Sequence, residues 1–363
     1  MAQKPLPIFL ACNLESTSGE GRLARLYMLN AYGLKIGSVR AESLLSSESG
    51  NILTPVSVSG PRWRRAISAY IWLLWQIIQI HFVRKGDVVV LNYLPLWNIL
   101  FFLLVPKTVA LAPITGGGRV NTRHLDVSGW HRVSVELTRN ILIPFLYKMS
   151  AIIIKWRSLV VKPATPAVNA ALGYNDLSPR FIETDHLSVL ATDSLSLGSK
   201  RSVDVIAYIG PHLLKNSQLT IQVMNSLASD GFKVILIGPA FLDPKINDNV
   251  DHYFNIDHDT VLRLMSTSMT MLSLSLEQAG FFSFEAAASG CVVLCLPNSG
   301  GSILPDSVLL AEDSEQVSLD LLVSRCKTAI NSARVSSSKS ASHIAAETMK
   351  AHKIAKAFFY QNI

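Results

Sequence analysis

The chain has 363 residues, of which 49% are hydrophobic and 16% charged. That length exceeds what one core supports, so two domains of about 150–200 residues are expected, and the composition excludes a disordered chain. The net charge of +7 is uneven: residues 1–165 carry 19 Lys and Arg against 7 Asp and Glu, the remainder 14 against 19. A basic first half calls for an anionic partner. There is no zinc-finger spacing and no long Lys/Arg run, so an anionic membrane or a lipid-linked phosphate fits better than nucleic acid. Cys12, Cys291, Cys295 and Cys326 form neither a CxxC pair nor a disulfide ladder, which points to a reducing compartment.

The N-terminus, MAQKPLPIFLACNL, lacks the long apolar stretch and small-residue cleavage site of an export signal and reads as a first strand over residues 8–13. A Gly/Ser turn at 16–21 follows, then helical periodicity over 22–34. This is the β–loop–α opening of a doubly wound sheet. Residues 87–92 (DVVVLN) predict a buried parallel strand and 108–112 a third. Residues 66–83 are almost wholly apolar. As a helix they would be about 27 Å long, enough to cross hydrocarbon. Three readings stay open: a buried helix, a membrane span and an interfacial helix. Gln76, Gln79 and His81 disfavour a span. Arg62, Arg64, Arg65, Arg84 and Lys85, with Trp63, Trp72 and Trp75, fit an interfacial helix over 62–85. A second apolar stretch, 94–105, adds to the membrane-surface case.

Residues 171–200 are polar and rich in serine, with Gly173, Asn175, Asp176 and Pro179, and read as a linker. Beyond them the alternation restarts, with strands expected at 203–209, 234–237, 270–274 and 292–296 and helices at 217–229, 260–268 and 281–289. The fold class is therefore α/β, with two Rossmann-like doubly wound domains, 1–170 and 201–340, facing a cleft. An Ala-rich helical tail, 341–363, is expected to pack back across them.

The most informative segment is 275–302, SLEQAGFFSFEAAASGCVVLCLPNSGGS. Glu277 precedes a loop, Gly280 and Phe281 sit where the loop becomes a helix, and Glu285 follows inside that helix. Free N–H groups at a helix start bind phosphate, and a carboxylate one to two turns further can accept hydrogen bonds from a ribose diol. In the first half, Ala112 to Arg119 reads APITGGGR. The run Gly116, Gly117 and Gly118 permits positive φ and aims backbone donors into a cleft. Gly19 lies in the first turn, Ser18-Gly19-Glu20-Gly21. After the first strand of the second half comes IGPHLLKN, with Lys215 as a cation.

In residue type and spacing the 275–302 segment resembles the donor-site motif of glycosyltransferase family 4, retaining enzymes of the GT-B fold. APITGGGR resembles the Gly-Pro-Ile-Gly-Gly-Gly signature of one branch, with Ala112 and Thr115 as departures. The resemblance implies that Glu285 binds the nucleotide ribose and that Glu277 faces the donor sugar. The backbone near Gly280 and Phe281, the glycines 116–118 and Gly19 would approach donor or acceptor phosphates, and Lys215 would neutralise the diphosphate. The family has Gly-Arg where this chain has Gly210-Pro211, which leaves His212 or Arg119 as the replacement cation. The resemblance further implies a metal-independent transferase with no cofactor, the nucleotide sugar being a substrate. Its acceptor would be a lipid-linked oligosaccharide of bacterial surface polysaccharide or lipopolysaccharide synthesis. The first domain would be the acceptor side of a cytoplasmic enzyme peripheral to the inner membrane. His124 and His131, after the triple glycine, are candidate cleft residues.

Rival readings are weaker. A dinucleotide enzyme needs G-x-G-x-x-G, and Gly19-Glu20-Gly21 is followed by Ala24 in the third position. A polytopic membrane protein needs several spans of about 20 apolar residues, and only 66–83 approaches that. An inactive GT-B scaffold, or a module that only binds nucleotide sugars, stands as the alternative.

Overall fold

The computed structural model describes residues 8–11, 52–53, 62–79, 88–90, 94–115, 119–125, 129–163, 166–173, 201–239, 244–277, 281–297, 299–304 and 306–335. The first Gly/Ser turn with Gly19, the helix over 22–34, Gly116, Gly117, Gly118, Gly280, the linker beyond 173 and the tail 341–363 lie outside them. The described residues form two six-stranded sheets in which every pairing is parallel.

The first sheet contains β1 (Ile8–Leu10), β2 (Ile52–Leu53), β3 (Val88–Val90), β4 (Leu94–Pro95), β5 (Val109–Thr115) and β6 (Val160–Pro163). Its order runs β2-β1-β3-β5, with β4 prolonging β3 along one edge of β5 and β6 on the other edge. The helices are α1 (Arg62–Gln79), α2 (Ile99–Leu104), α3 (Gly129–Arg157) and α4 (Pro166–Leu172). The steps β2 to β3, β3 to β5 and β5 to β6 all move the same way across the sheet. Right-handed crossovers therefore put α1, α2 and α3 on one face. Their inner sides share one core: Leu73 and Ile77 of α1, Phe101 and Phe102 of α2, and Tyr147, Ala151 and Ile154 of α3 pack with Val90, Leu111 and Ile114.

Two local devices shape this layer. Pro144 stands inside α3, where its ring meets the carbonyl four residues back, and the turn before it, Glu136–Leu142, widens to a π-helix. Arg157, at the end of α3, donates through Nη1 to the carbonyls of Phe102 (2.8 Å) and Leu103 (2.6 Å), capping the C-terminal end of α2.

The second sheet holds β7 (Val203–Tyr208), β8 (Val234–Ile237), β9 (Asp251–Tyr253), β10 (Ser268–Ser273), β11 (Val292–Cys295) and β12 (Val308–Leu309), in the order β12-β11-β10-β7-β8-β9. Counted from β7 this is 6-5-4-1-2-3, a doubly wound sheet whose direction reverses between β7 and β10. Alternate residues serve the two faces. Val205, Ala207, Leu236 and Leu272 pack under α5 (Ser217–Ser229) and α8 (Leu319–Val335). Ile206, Ile235, Met271 and Val293 pack under α6 (His258–Ser266) and α7 (Phe281–Ala288).

The strand and helix expectations of the second half hold to within two residues at each end. Several elements of the chain were not foreseen: α3, β9, β12 and α8. The apolar stretch 94–105 divides into β4 and α2, because Pro95 blocks a helix there. The helix expected from 66 begins at Arg62. It has Leu73 and Ile77 in the core while Ile71 and Trp75 face out, so it covers the sheet with one side and is not a free span. α4 runs two residues into the stretch read as a linker.

Two predictions follow from the packing. Gly238 has φ +134°, and a Cβ there would lie 2.2 Å from the Ile209 carbonyl oxygen. Gly238→Ala should lower the urea-unfolding free energy by about 2 kcal/mol or more. Burial pushes the thiols of Cys291 and Cys326 up to about 12 and that of Cys295 up to about 11. A thiol reagent at pH 8 should leave all three unmodified in the native protein and label them in urea, because the thiolate is the reactive form.

Candidate functional site

In a doubly wound sheet, ligands meet the carboxyl ends of the strands where the order reverses. Here that point lies between the loops after β7 and β10. The β7 loop turns sharply. Ser217 bonds both backbone groups of Gly210: Gly210 N–H donates to Ser217 Oγ (3.0 Å), and Ser217 Oγ–H donates to the Gly210 carbonyl (2.7 Å). His212 caps the 3-10 turn Leu213–Lys215 by accepting from Leu214 N–H at 3.3 Å. Asn216 then takes a left-handed conformation, φ 49°, and starts α5.

The β10 loop runs alongside. Leu276 N–H donates to the Leu214 carbonyl at 2.8 Å, joining the two loops, and Gly300 N–H donates to the Glu277 carbonyl at 2.9 Å, joining the loop after β11. The outcome is a charged cluster. Lys215 Nζ lies 2.5 Å from Glu277 Oε2, and His212 Nδ1 lies 3.4 Å from Glu277 Oε1. Lys215 also sits 5.2 Å from the centre of the Tyr208 ring. Tyr208 stacks on Phe282 of α7 at 4.7 Å. The Lys215–Glu277 pair is partly open to solvent, at 21% and 26% side-chain exposure.

Glu285 lies on the inner side of α7 and is 5% exposed. A buried carboxylate needs a partner, and His258 at the start of α6 supplies one, with Nε2 3.4 Å from Glu285 Oε1. Asp257 caps that helix by accepting from Thr260 N–H at 2.8 Å; this bond holds its carboxyl below the usual range. Ser283 Oγ–H donates to Ser273 Oγ at 3.1 Å, fixing α7 to the end of β10.

The structure thus brings Lys215, Glu277 and His212 into contact, places Glu285 in the adjoining helix, and starts that helix at Phe281. Sequence reasoning passed over His258, Tyr208 and Asn216. The Asp-His-Asp run at 257–259 marks a helix start, but the pairing with Glu285 arises only from α6 packing against α7. Among the described residues no three His, Cys, Asp or Glu side chains are grouped to hold a metal ion.

The chain after the triple glycine, 119–125, docks on the second domain. Asn121 Nδ2 donates to Asp313 O (2.6 Å) and Arg123 Nη1 to Ser314 O (3.0 Å), while His124 Nε2 meets Glu312 O (3.1 Å) and Glu315 O (3.2 Å). Asn216 Nδ2 donates to both His124 O (2.8 Å) and Leu274 O (2.9 Å). His124, a candidate cleft residue, is buried in this contact, the structural role more usual for a lone histidine, whereas His131 and Arg119 are exposed. His212 is the basic side chain found beside Lys215 and Glu277. Asn216→Ala strands two buried carbonyls and keeps the left-handed backbone. It should cost about 2–4 kcal/mol in urea unfolding and speed proteolysis between the domains.

No protein-family model matches the chain, and no curated protein aligns with it. Solved structures resemble it along nearly its full length. HepE from Anabaena in complex with UDP-glucose superposes with a TM-score of 0.54 at 13% identity, covering 98% of this chain and 99% of that one. Sucrose-phosphate synthase from Thermosynechococcus elongatus gives 0.52 at 11%, covering 98% and 96%. UDP-GlcNAc 2-epimerase from Methanocaldococcus jannaschii, solved with UDP-GlcNAc and UDP, gives 0.50 at 12%, covering 97% and 99%. At such identities the likeness speaks for the fold, and with the two parallel sheets it shows that this chain has the GT-B architecture.

Proposed function

We propose that this chain is a glycosyltransferase that moves a hexose-type sugar from a nucleotide-sugar donor to a lipid-linked saccharide, with retention of anomeric configuration. The carrying observation is the cluster of Lys215, Glu277 and His212 at the point where the second sheet reverses, with buried Glu285 in the adjoining helix. The structures it resembles were solved with UDP-glucose, UDP-GlcNAc or UDP, or bear the name of a sugar-phosphate synthase, which favours a nucleotide-sugar donor.

In this reading the free protein holds its site charge-balanced. Lys215 is neutralised by Glu277 until a donor diphosphate competes for the ammonium. The carboxylate is then released toward the sugar, and Lys215 faces the charge that grows on the leaving diphosphate. Glu285 accepts from the ribose hydroxyls and exchanges part of its contact with His258 for them. The lipid-linked acceptor is assigned from the basic first half of the chain. Retention follows from the family resemblance.

The roles separate by kinetics. Glu285→Gln should weaken binding of the preferred nucleoside diphosphate ten- to a hundred-fold, about 1.5–3 kcal/mol. Glu277→Gln should bind that diphosphate at least as tightly as the parent while slowing transfer, the mark of a group that acts in the transition state. Lys215→Ala should lower both. A panel of nucleotide sugars, read by thermal shift and product NMR, identifies the donor and the anomer formed. Unchanged nucleotide binding in Glu285→Gln, or unchanged transfer in Glu277→Gln, sinks the assignment. Conversion of the donor to its epimer without acceptor would make the protein an epimerase, and binding without turnover an inactive module.

A further inference from the structure

The first domain carries an apolar surface that its own core does not use. α3 buries Ile143, Tyr147, Ala151 and Ile154 on one side. On the other it exposes Trp130 (86%), Leu137, Ile141, Phe145, Ile152 and Trp156 (74%), all at spacings of four or seven residues. A surface helix of a soluble domain has one apolar stripe; α3 has two. Its neighbours continue the pattern. α2 packs against α3, α1 packs against α2, and their outward residues include Leu100, Leu104, Ile71 and Trp75. Because all three helices cover the same face of the sheet, these stripes form one outer surface. Seventeen of the twenty-one large hydrophobic side chains exposed among the described residues belong to α1, α2, α3 and the turn before α2; four belong to the second domain. Scattered exposed hydrophobics need no explanation, but a concentration on one face does.

We propose that this surface docks on an anionic lipid bilayer, with α3 lying in the plane of the interface. Charge selects the occupant. α3 exposes Lys148 and Lys155 and carries Arg132 and Arg139 half-buried, against a single acid, Glu136, and the sequence of α1 holds three Arg and no acid. A second copy would bring two basic surfaces together, whereas an anionic headgroup layer neutralises them. Trp130 and Trp156 stand at the two ends of the stripe, the residue type that favours the headgroup level. α3 is long and apolar enough to cross a membrane by length and composition. Its inner side, however, is part of the domain core, and its cations Arg132, Arg139, Lys148 and Lys155 are spread along its length, which is the pattern of an in-plane helix. This deepens the proposed function by naming the face that brings the domain to a lipid-linked acceptor, and it rests on that reading for the acceptor alone.

The test is flotation of the full-length protein with vesicles of phosphatidylcholine alone and of phosphatidylcholine mixed in equal parts with phosphatidylglycerol. Two variants are compared: Trp130→Ser/Ile141→Ser/Trp156→Ser, and Lys148→Gln/Lys155→Gln. All the altered positions lie outside the charged cluster. The parent should float with the anionic vesicles, less so in high salt. Each variant should float about tenfold less or weaker while keeping the parent's thermal unfolding and nucleotide thermal shift. Equal flotation of parent and variants overturns the proposal. So does a parent that ignores both vesicles and forms a dimer that the serine variant dissociates, which would make the face a self-association surface. Resistance of cell membranes to alkaline extraction, with release only by detergent, would make α3 a span. Failed flotation with intact nucleotide binding strikes this proposal alone. Flotation with no turnover of any nucleotide sugar strikes the transferase reading alone.

Discussion

The carboxamide of Asn216 holds three segments that are far apart in sequence. One N–H reaches the carbonyl of Leu274, at the end of β10, and the other reaches His124, in the first domain. The backbone carbonyl of Asn216 accepts from Thr220 N–H at 2.9 Å and from Thr220 Oγ1–H at 2.9 Å, starting α5. The residue is buried and left-handed, a conformation that asparagine tolerates better than most side chains. Lys215 precedes it and Glu277 lies three residues beyond Leu274. The geometry of the charged cluster therefore depends on an amide that carries no charge itself.

Parallel sheets send all their strand ends to one edge, and a doubly wound order opens that edge where its direction reverses. In the second domain this places the loops after β7 and β10 side by side, so opposite charges 62 residues apart meet at 2.5 Å. The cluster is balanced and partly hydrated, as an exposed pair must be to remain exchangeable. Glu285 differs. It is carried into the protein by the apolar residues on either side, Phe284 and Ala286, both fully buried. There His258 Nε2 lies 3.4 Å from its Oε1. The two carboxylates thus have different environments, one partly hydrated and one buried.

The first domain is coupled to this arrangement through a helix defect. The π turn ahead of Pro144 displaces Asn140 so that its side chain spans the backbone of Val120, accepting from Val120 N–H (2.8 Å) and donating to Val120 O (2.9 Å). Val120 opens the segment that docks on the second domain, and with Leu125 it joins that domain's core. A helix with one side in the first core is thereby joined, through one asparagine, to the loop segment that meets Asn216. The same helix carries the exposed apolar stripe, so the outward surface and the interdomain contact share one rigid element.

The local composition of this sequence determined the alternation of strand and helix in the second half, because short Val/Ile/Leu runs bounded by Gly, Asn and Ser leave few other structures. It also marked Glu277 and Glu285 within one strand–loop–helix unit, and Lys215 through a resemblance in motif, since both are legible without a fold. It did not disclose α3. Its two apolar faces and its proline give no single helical period, and the 66–83 run, being more uniformly apolar, drew the membrane reading to itself. Nor did it disclose that Lys215 and Glu277 are ion-paired, that His258 faces Glu285, or that His124 is buried between the domains. Each of these joins elements separated by tens to hundreds of residues. Such contacts are set by strand order and by helix packing, which are decided only when the hydrophobic faces of the whole chain find one another.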